Sequence, residues 1–407
     1  MPIFVQLRLY GKSRLICQRH LDQFRAGADQ RWLDSDNSGS LGRRSHCGGR
    51  YSSQLSQFQR SGTIMVMMAL ASQRMSVTGG GSEYPPVPGL YLANDPLIAY
   101  TDCVAPSYIV GFMRFQRPIN DAGSDYQYCM PGARQRFRSN AASVAVQLRW
   151  NGLVTRTDSR NLIGHIFVDG VFNSSFQTPG SINQVVTSTV TINMGSAADR
   201  LYEIILPYAD GVEFGPIQVT PPSVITAAAS RTGRLLVPYG DSITQGFSGT
   251  DLRRTWPFML AQNRGFRCLN MGYGGRVVVP SDGTACVNLA PDLMIVMTGT
   301  NEYLSQIPVA NYQSNLTGFL QAVHAINRTV PVYLCGTIYN AASLPIPLTS
   351  YANVAGTVIG ALGYPQLIGV DRATLITNPG TQMSPDGTHP NDVGEAQMVT
   401  GWSAAIA

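Results

Sequence analysis

The sequence predicts an α/β domain built on a parallel sheet and preceded by an antiparallel β-sandwich. Three observations support this fold class. The chain has 407 residues, more than a usual single domain. Short apolar alternations, separated by Gly, Pro, Asn and Asp, fill residues 77–224 without helices between them. From Arg234 onward strand-like and helix-like segments alternate, which is typical of a parallel sheet covered on both faces.

Composition divides the chain into three segments. Residues 1–75 are expected to form an N-terminal extension without stable structure, because their start is rich in Arg, Gln, Ser and Gly and lacks a sustained apolar period. Residues 76–230 form the predicted sandwich, and residues 231–407 form the predicted α/β domain. A Pro pair followed by small residues at 220–233 marks the boundary between them.

The individual elements follow from apolar spacing. In the sandwich, strands are predicted at 141–150, 162–168, 184–192 and 201–207, with a hairpin turn at Asp169-Gly170. In the second domain, strands are predicted at 235–239, 267–270, 293–297, 332–338 and 367–370, and helices at 255–263, 312–327 and 392–406. Pro238 inside the first of these strands is unusual, because proline cannot donate a ladder hydrogen bond.

The charge pattern argues against a nucleic-acid partner. Residues 1–60 hold ten Lys or Arg and four Asp, which leaves 19 basic and 20 acidic residues in the rest of the chain. Such a balance gives no basic surface for nucleic acid. No stretch reaches the roughly eighteen apolar residues of a membrane span, so we expect a soluble protein. The short apolar run at 64–71 ends in a small-x-small site, which leaves secreted, periplasmic and cytoplasmic locations open.

The seven cysteines do not suggest a metal site. None forms a Cys-x-x-Cys pair or a Cys/His cluster at ligand spacing, so zinc is not expected. Cys103 with Cys129, and Cys268 with Cys286, lie close enough in sequence to be bridged. Buried free thiols explain these cysteines equally well, because sequence proximity does not set disulfide geometry.

The first two strand-end loops of the α/β domain carry a serine and a glycine cluster. Ser242, within Gly-Asp-Ser-Ile-Thr, stands at a strand-to-helix turn that exposes its hydroxyl and points its N–H at an oxyanion. A plain helix cap is the commoner meaning of such a turn. Residues 270–275 (NMGYGG) follow the second strand, and their glycines allow a ligand to approach the backbone. A turn with positive φ would use the same residues.

The third loop and the C-terminal segment add an amide, a base and a carboxylate. Asn301, in Gly-Thr-Asn-Glu, offers a neutral N–H donor for developing negative charge, although an Asx turn is the alternative. His389 can accept a hydroxyl proton near neutral pH, and Asp386 stands three positions earlier, where it can hold the other ring nitrogen. In isolation, Asp-x-x-His also fits a surface pair or half a metal site.

Taken together, GDSIT, NMGYGG, GTNE and DGTHP resemble the four motif blocks of the SGNH hydrolase superfamily, also called GDSL-like esterases, over residues 234–407. The resemblance implies a flavodoxin-like three-layer fold and a two-step acyl transfer without a metal or organic cofactor. It assigns Ser242 as nucleophile and first oxyanion donor, His389 as base and Asp386 as its orienting carboxylate.

The same resemblance assigns two further oxyanion donors. The sequence departs from the family pattern at two positions. Gly275 matches the second oxyanion donor, with Gly272 as the rival, and Asn301 matches the third. The third block usually ends in Asp, where this chain has Glu302, and Pro238 interrupts the strand before the nucleophile. Neither departure touches a catalytic atom.

The preceding segment is similar to the jelly-roll leader of carbohydrate acetylesterases, including acetylxylan esterases. The similarity rests on residues 136–148 and on the Val168-Asp169-Gly170 turn. It implies that the substrate carries a short acyl group, acetyl above all. The substrate is then a small ester or an acetylated carbohydrate. A lipase, thioesterase or acyltransferase on the same scaffold, and a non-catalytic carbohydrate-binding protein, remain alternatives.

Overall fold

The computed structural model describes residues 87–119, 125–152, 163–177, 184–208 and 211–406. The predicted extension at 1–75 and the apolar run at 64–71 lie outside the described residues. Within those ranges the chain forms two antiparallel sheets followed by one parallel sheet. This succession confirms the predicted fold class.

The antiparallel part contains β1 (Leu90–Tyr91), β2 (Ala99–Thr101), β3 (Ser107–Ile109), β4 (Phe112–Arg114), β5 (Arg134–Ser139), β6 (Ser143–Asn151), β7 (Ile163–Val168), β8 (Val171–Gln177), β9 (Val185–Asn193), β10 (Arg200–Ile205), β11 (Val212–Val219) and β12 (Ile225–Thr226). One sheet has the order β3-β4-β11-β6-β9, with β1 beside β11. The other has the order β12-β5-β10-β7-β8, with β2 beside β5. The jelly-roll assignment itself stays a prediction.

Side-chain alternation explains how these strands build a core. In β6 every second side chain is buried, from Val144 through Val146 and Leu148 to Trp150. The predicted hairpin between β7 and β8 is confirmed, since Asp169 and Gly170 join the two strands with φ angles of 51° and 79°. The sandwich signal in the sequence therefore reflects the two-residue period of half-buried strands.

The parallel sheet contains β13 (Leu235–Gly240), β14 (Arg267–Cys268), β15 (Met271–Gly272), β16 (Leu293–Met297), β17 (Val332–Cys335) and β18 (Leu367–Gly369). Its order is β14-β13-β16-β17-β18, and β15 also pairs with β13. Because β14 and β15 share the place of the second strand, this is the flavodoxin-like order 2-1-3-4-5. Every residue of β16 is buried, as expected for a central parallel strand.

The helices are α1 (Ser242–Gln245), α2 (Trp256–Arg264), α3 (Pro280–Val287), α4 (Thr300–Leu304), α5 (Val309–Ile326), α6 (Leu348–Ala352), α7 (Val354–Leu362), α8 (Arg372–Leu375), α9 (Pro379–Gln382) and α10 (Asp392–Ala405). In α5 the side chains of Tyr312, Leu316, Phe319 and Val323 form a buried stripe at helical spacing. None of the helices in the described ranges is long and apolar enough to cross a membrane.

Pro238 fits the centre of the parallel sheet because one neighbouring strand is interrupted beside it. On that side β13 pairs with β14 at Leu235 and Leu236, and with β15 at Tyr239 and Gly240. Pro238 lies between these two stretches, where the ladder is broken. The missing N–H of Pro238 therefore costs no hydrogen bond to the neighbouring strand.

One apolar core extends through both predicted domains. It contains Phe137 and Val146 of the antiparallel part together with Val237 and Val296 of the parallel sheet. The position of the boundary at residues 230–231 stays a prediction. Cys103, Cys268, Cys286 and Cys335 are free thiols, and the described residues contain no cluster of His, Cys, Asp or Glu that could hold a metal ion.

Candidate active site

The residues singled out by the motifs lie at one edge of the parallel sheet. Strand β13 pairs with β15 on one side and with β16 on the other. Ser242, Gly275 and Asn301 lie a few residues beyond the carboxyl ends of these three strands. The strand order reverses between β13 and β16, which is where sheets of this topology bind ligands.

Ser242 and His389 meet although they are far apart in sequence. The Oγ atom of Ser242 lies 2.8 Å from Nε2 of His389. Ser242 is the first residue of α1, so its N–H has no partner within the helix. The serine therefore presents both a hydroxyl in contact with a base and an N–H at a helix N-terminus.

Asp386 holds the opposite side of the imidazole. Its Oδ2 atom lies 2.7 Å from Nδ1 of His389. Its Oδ1 atom accepts hydrogen bonds from the Ser384 hydroxyl and from the N–H groups of Thr388 and His389. Partial burial raises the pKa of this carboxyl, but these hydrogen bonds outweigh burial and hold the pKa well below its usual range. Asp386 is therefore ionised throughout the range in which His389 can act as a base.

The loop that carries Asp386 and His389 is closed on itself. Met383 and Pro390 form an antiparallel bridge across its base, and the Ser384 N–H donates to the His389 carbonyl at 2.8 Å. The ring of Phe247 packs against the imidazole, with 4.5 Å between centroids. These contacts fix the ring of His389 in the orientation that joins Ser242 to Asp386.

β15 and the turn that follows it, residues 271–276, form a glycine loop that exposes a backbone donor at Gly275. The Gly272 N–H donates to Asn270 Oδ1 at 2.8 Å, and the Gly274 N–H donates to Gln245 Oε1 at 2.7 Å. The Tyr273 N–H also has a partner, the Gly240 carbonyl at 3.0 Å. Gly275 is solvent-exposed with φ of 78°, and its N–H has no acceptor among the described residues. The geometry thus favours Gly275 over Gly272 as a donor to a ligand.

Asn301 is fastened to the same loop. Its Nδ2 atom donates to the Arg276 carbonyl at 3.0 Å, which leaves the second amide proton for another acceptor. Glu302, the departure in the third motif block, turns inward and accepts the Val278 N–H at 2.6 Å. Its side chain therefore supports the segment after the loop and does not reach the solvent-facing side of the site.

Two buried carboxyl groups lie beneath the nucleophile. Asp241 caps α1 by accepting the Ile243 N–H at 2.9 Å. Burial raises the pKa of Asp241 to about 7, and the nearby Glu302 acts in the same direction. Burial also raises the pKa of Glu302. The helix that begins at Ser242 is thus capped by a carboxyl that changes charge near neutral pH.

A second set of Ser, His and Asp lies where the antiparallel part meets the loop after α1. His165 Nδ1 lies 3.1 Å from the Ser175 hydroxyl, and His165 Nε2 lies 3.3 Å from Asp251 Oδ1. Ser175 is the direct cross-strand neighbour of His165 in the β7–β8 ladder, and it lies within a strand instead of at the start of a helix. Asp251 is also paired with Arg253 at 2.9 Å. This set has the character of a cross-strand polar contact and lacks the helix N-terminus that Ser242 has.

Three supporting residues of the site have no sequence signal. Phe247 lies on the imidazole, and Gln245 accepts from the glycine loop. Arg117, from the segment after β4, donates from Nη1 to the Gly272 carbonyl. Each acts through a contact that forms only when distant parts of the chain fold together, so no local motif marks it.

Comparisons with known proteins agree with this architecture. Residues 239–397 match the model of the GDSL-like Lipase/Acylhydrolase family. A comparison with curated proteins finds no match. Among solved structures, the chain is similar to the salicylyl-acyltransferase SsfX3 from a tetracycline biosynthetic pathway. That likeness has 18% identity and a TM-score of 0.69, and it covers 78% of this chain and 96% of the other.

Two carbohydrate esterases have the same overall arrangement. A family two carbohydrate esterase from Cellvibrio japonicus is 16% identical with a TM-score of 0.58, covering 77% of this chain and 96% of its own. An acetyl xylan esterase from Butyrivibrio proteoclasticus is 11% identical with a TM-score of 0.54, covering 77% and 97%. The predicted resemblance to SGNH hydrolases is confirmed, and the chain contains a hydrolase domain of the GDSL-like lipase/acylhydrolase family behind an antiparallel β-domain.

Proposed function

We propose that this protein is a serine esterase that hydrolyses short-chain acyl esters, acetyl esters above all, through an acyl-serine intermediate. The observation that carries the proposal is the continuous contact from Ser242 through His389 to Asp386, with 2.8 Å and 2.7 Å between the bonded atoms. A neutral imidazole in this position can take the serine proton, and the ionised carboxylate stabilises the imidazolium that results.

The reaction proceeds in two halves. Ser242 Oγ attacks the ester carbonyl while His389 Nε2 takes its proton, and the oxyanion accepts from the N–H groups of Ser242 and Gly275 and from the Asn301 amide. Collapse breaks the bond to the alcohol, which leaves with the proton from His389. Water then gives a proton to His389 and attacks the acyl-serine, and collapse releases the acid and returns the proton to Ser242.

We propose acetylated carbohydrate as the natural substrate class. The support is the likeness of the leading β-domain and the hydrolase domain, taken together, to a family two carbohydrate esterase and to an acetyl xylan esterase. Activity that peaks on long-chain acyl esters would contradict the short-acyl preference and favour a lipase or thioesterase.

The decisive experiment compares two serine variants. Wild type, Ser242→Ala and Ser175→Ala are assayed on a panel of p-nitrophenyl esters and acetylated sugars. We expect Ser242→Ala to lose several powers of ten in turnover and Ser175→Ala to keep wild-type turnover, because only Ser242 combines a base with a helix N-terminus. Turnover retained in Ser242→Ala would refute the nucleophile. A wild type inactive on the whole panel would favour a non-catalytic carbohydrate-binding protein.

Acyl transfer to an alcohol is a second candidate function. It is favoured by the likeness to a salicylyl-acyltransferase, which has a TM-score of 0.69 over 78% of this chain. The same acyl-serine would serve both reactions, and the acceptor would decide between them. Turnover measured with and without a small alcohol separates the two: an esterase releases mainly free acid, whereas a transferase releases mainly the new ester.

A further inference from the structure

The glycine loop at residues 271–276 is contacted by a buried arginine of the leading β-domain. Arg117 lies after β4 and is only 1% exposed. Its Nη1 atom donates to the carbonyl of Gly272, 155 positions away in the sequence. A guanidinium that is fully removed from water and bonded to this carbonyl restrains the loop more firmly than an exposed side chain could.

The same arginine packs on the residue between the loop glycines. Its guanidinium carbon lies 5.0 Å from the centroid of the Tyr273 ring, within the range of a cation–π contact. The guanidinium of Arg276 lies 5.8 Å from the same ring and is fastened to Asp282 by two hydrogen bonds of 2.7 Å. Tyr273 is fully buried, and one arginine from each domain thus packs against its ring.

A second tether from the β-domain reaches the loop through Gln245. The side-chain amide of this buried residue donates to the Tyr208 carbonyl at 3.2 Å, just after β10. Its oxygen accepts the Gly274 N–H at 2.7 Å. The two tethers therefore hold the loop on either side of Tyr273, one at the Gly272 carbonyl and the other at the Gly274 N–H.

Gly275 follows directly after these two fixed points. Three of the six residues from 271 to 276 are glycine, and glycine restricts the backbone least. Without external contacts, such a loop would sample many directions of the Gly275 N–H. We propose that Arg117 is a positioning residue for the Gly275 oxyanion donor, and that the leading β-domain is thereby part of the catalytic apparatus. This inference rests on the proposed esterase function.

The expected effect is on the chemical step. Removal of one whole oxyanion donor typically lowers kcat by about 100- to 1,000-fold. Misdirecting a donor that is still present should cost less, about 10- to 100-fold in kcat. KM should change little, because the donor acts on charge that develops only in the transition state.

The test uses a matched pair of buried arginines in the full-length protein. Arg134 is also buried in the β-domain, is paired with Asp102 at 3.0 Å, and lies 5.5 Å from the ring of Phe258 in the hydrolase domain. Among the described residues, no hydrogen bond, ion pair or ring contact joins its side chain to the glycine loop. The variants Arg117→Met, Arg117→Lys and Arg134→Met are compared with wild type and Ser242→Ala for kcat and KM on a small acetyl ester. Inhibition by an alkyl boronic acid, which mimics the tetrahedral intermediate, and thermal unfolding are measured alongside.

We expect Arg117→Met to lose about 10- to 100-fold in kcat and a similar factor in boronate affinity, with KM nearly constant. Arg117→Lys should lie between this variant and wild type, since lysine keeps a cationic N–H donor group but loses the planar guanidinium. Arg134→Met should unfold at a lower temperature and keep wild-type kcat. If Arg117→Met does not fold, Gln245→Met carries the same expectation, because it removes the acceptor of the Gly274 N–H.

Three results would overturn the inference. One is a folded Arg117→Met protein with wild-type kcat and boronate affinity. Another is an equal loss of kcat in Arg134→Met, which would indicate a general effect of interdomain stability. If wild type does not hydrolyse the ester at all, the proposed function fails and the inference falls with it. Wild type run beside Ser242→Ala separates this third result from the first two.

Discussion

At the residue scale, Asp386 differs from the other carboxylates near the site in the hydrogen bonds that it accepts. It receives the imidazole on one oxygen and three further donors on the other. This network keeps its pKa below the usual range. In the proposed mechanism, the carboxylate is therefore a constant negative charge against which His389 takes up and releases its proton.

Asp386→Asn is expected to lower kcat by about 100- to 10,000-fold, because the amide no longer holds the imidazole in the required tautomer and no longer stabilises the imidazolium. Asp392→Asn is the matched control. Asp392 lies close in sequence but accepts hydrogen bonds from Thr250 instead of the imidazole. Steady-state kinetics over a pH series measures both. Unchanged turnover in Asp386→Asn would remove the carboxylate from the mechanism.

At the element scale, the short helix α1 is capped by Asp241, a carboxyl group whose pKa is raised. Asp241 accepts the Ile243 N–H and is 2% exposed. Burial raises its folded-state pKa to about 7, above the value of about 3.9 for a solvated carboxyl. A raised carboxyl pKa means that the folded state binds the proton more tightly. Its stabilising contribution is complete below the unfolded pKa and is lost as the pH rises through the folded pKa.

Asp241→Asn should therefore change how stability depends on pH. Asparagine caps a helix about as well as aspartate, but it cannot ionise. Wild type should lose thermal stability relative to the variant between about pH 4 and pH 8. Thermal unfolding of both proteins across this range measures the difference. A gap in Tm that stays constant with pH would contradict the buried, shifted carboxyl.

Elements of the hydrolase domain follow closely from the sequence, because periodicity is set by local burial. The strand predicted at 293–297 is reproduced as Leu293–Met297, and the helix predicted at 312–327 is found at Val309–Ile326. The strand predicted at 332–338 ends at Cys335. Short helices such as Pro280–Val287 and Leu348–Ala352 escape prediction, because one or two turns carry too few apolar positions to define a period.

The residues of the site also fall into two groups, those that the sequence identifies and those that only the fold reveals. Ser242, Asn301, His389 and Asp386 stand in compact motifs, so the sequence singles them out. Arg117 and Gln245 contact the glycine loop from elements that only the fold brings near. The spacing of residues along the chain does not predict such contacts. The choice between Gly272 and Gly275 was open for the same reason, since it depends on which N–H is already bonded.

At the scale of the whole molecule, the β-domain and the hydrolase domain share one apolar core. Buried arginines add polar contacts across the same junction: Arg117 reaches the Gly272 carbonyl, and Arg134 lies against Phe258. Separate cores would allow the domains to unfold one after the other. A shared core joins their stabilities.

We therefore expect full-length protein to unfold in a single transition, with esterase activity and tryptophan fluorescence lost together. The probes lie on both sides of the junction, since Trp150 is in β6 whereas Trp256 and Trp402 are in α2 and α10. Calorimetry with parallel activity measurements checks this expectation. Two resolved transitions, with activity surviving the first, would mean that the hydrolase domain stands alone.

The proposed mechanism requires Ser242 to become acylated during turnover. The most direct measurement treats wild type with a serine-reactive phosphonate ester, digests the protein and identifies the modified residue by mass spectrometry. We expect a single phosphonylated serine, Ser242, with labelling strongly slowed in His389→Ala and absent in Ser242→Ala. Labelling of Ser175 or another serine, or wild-type labelling rates in His389→Ala, would contradict it.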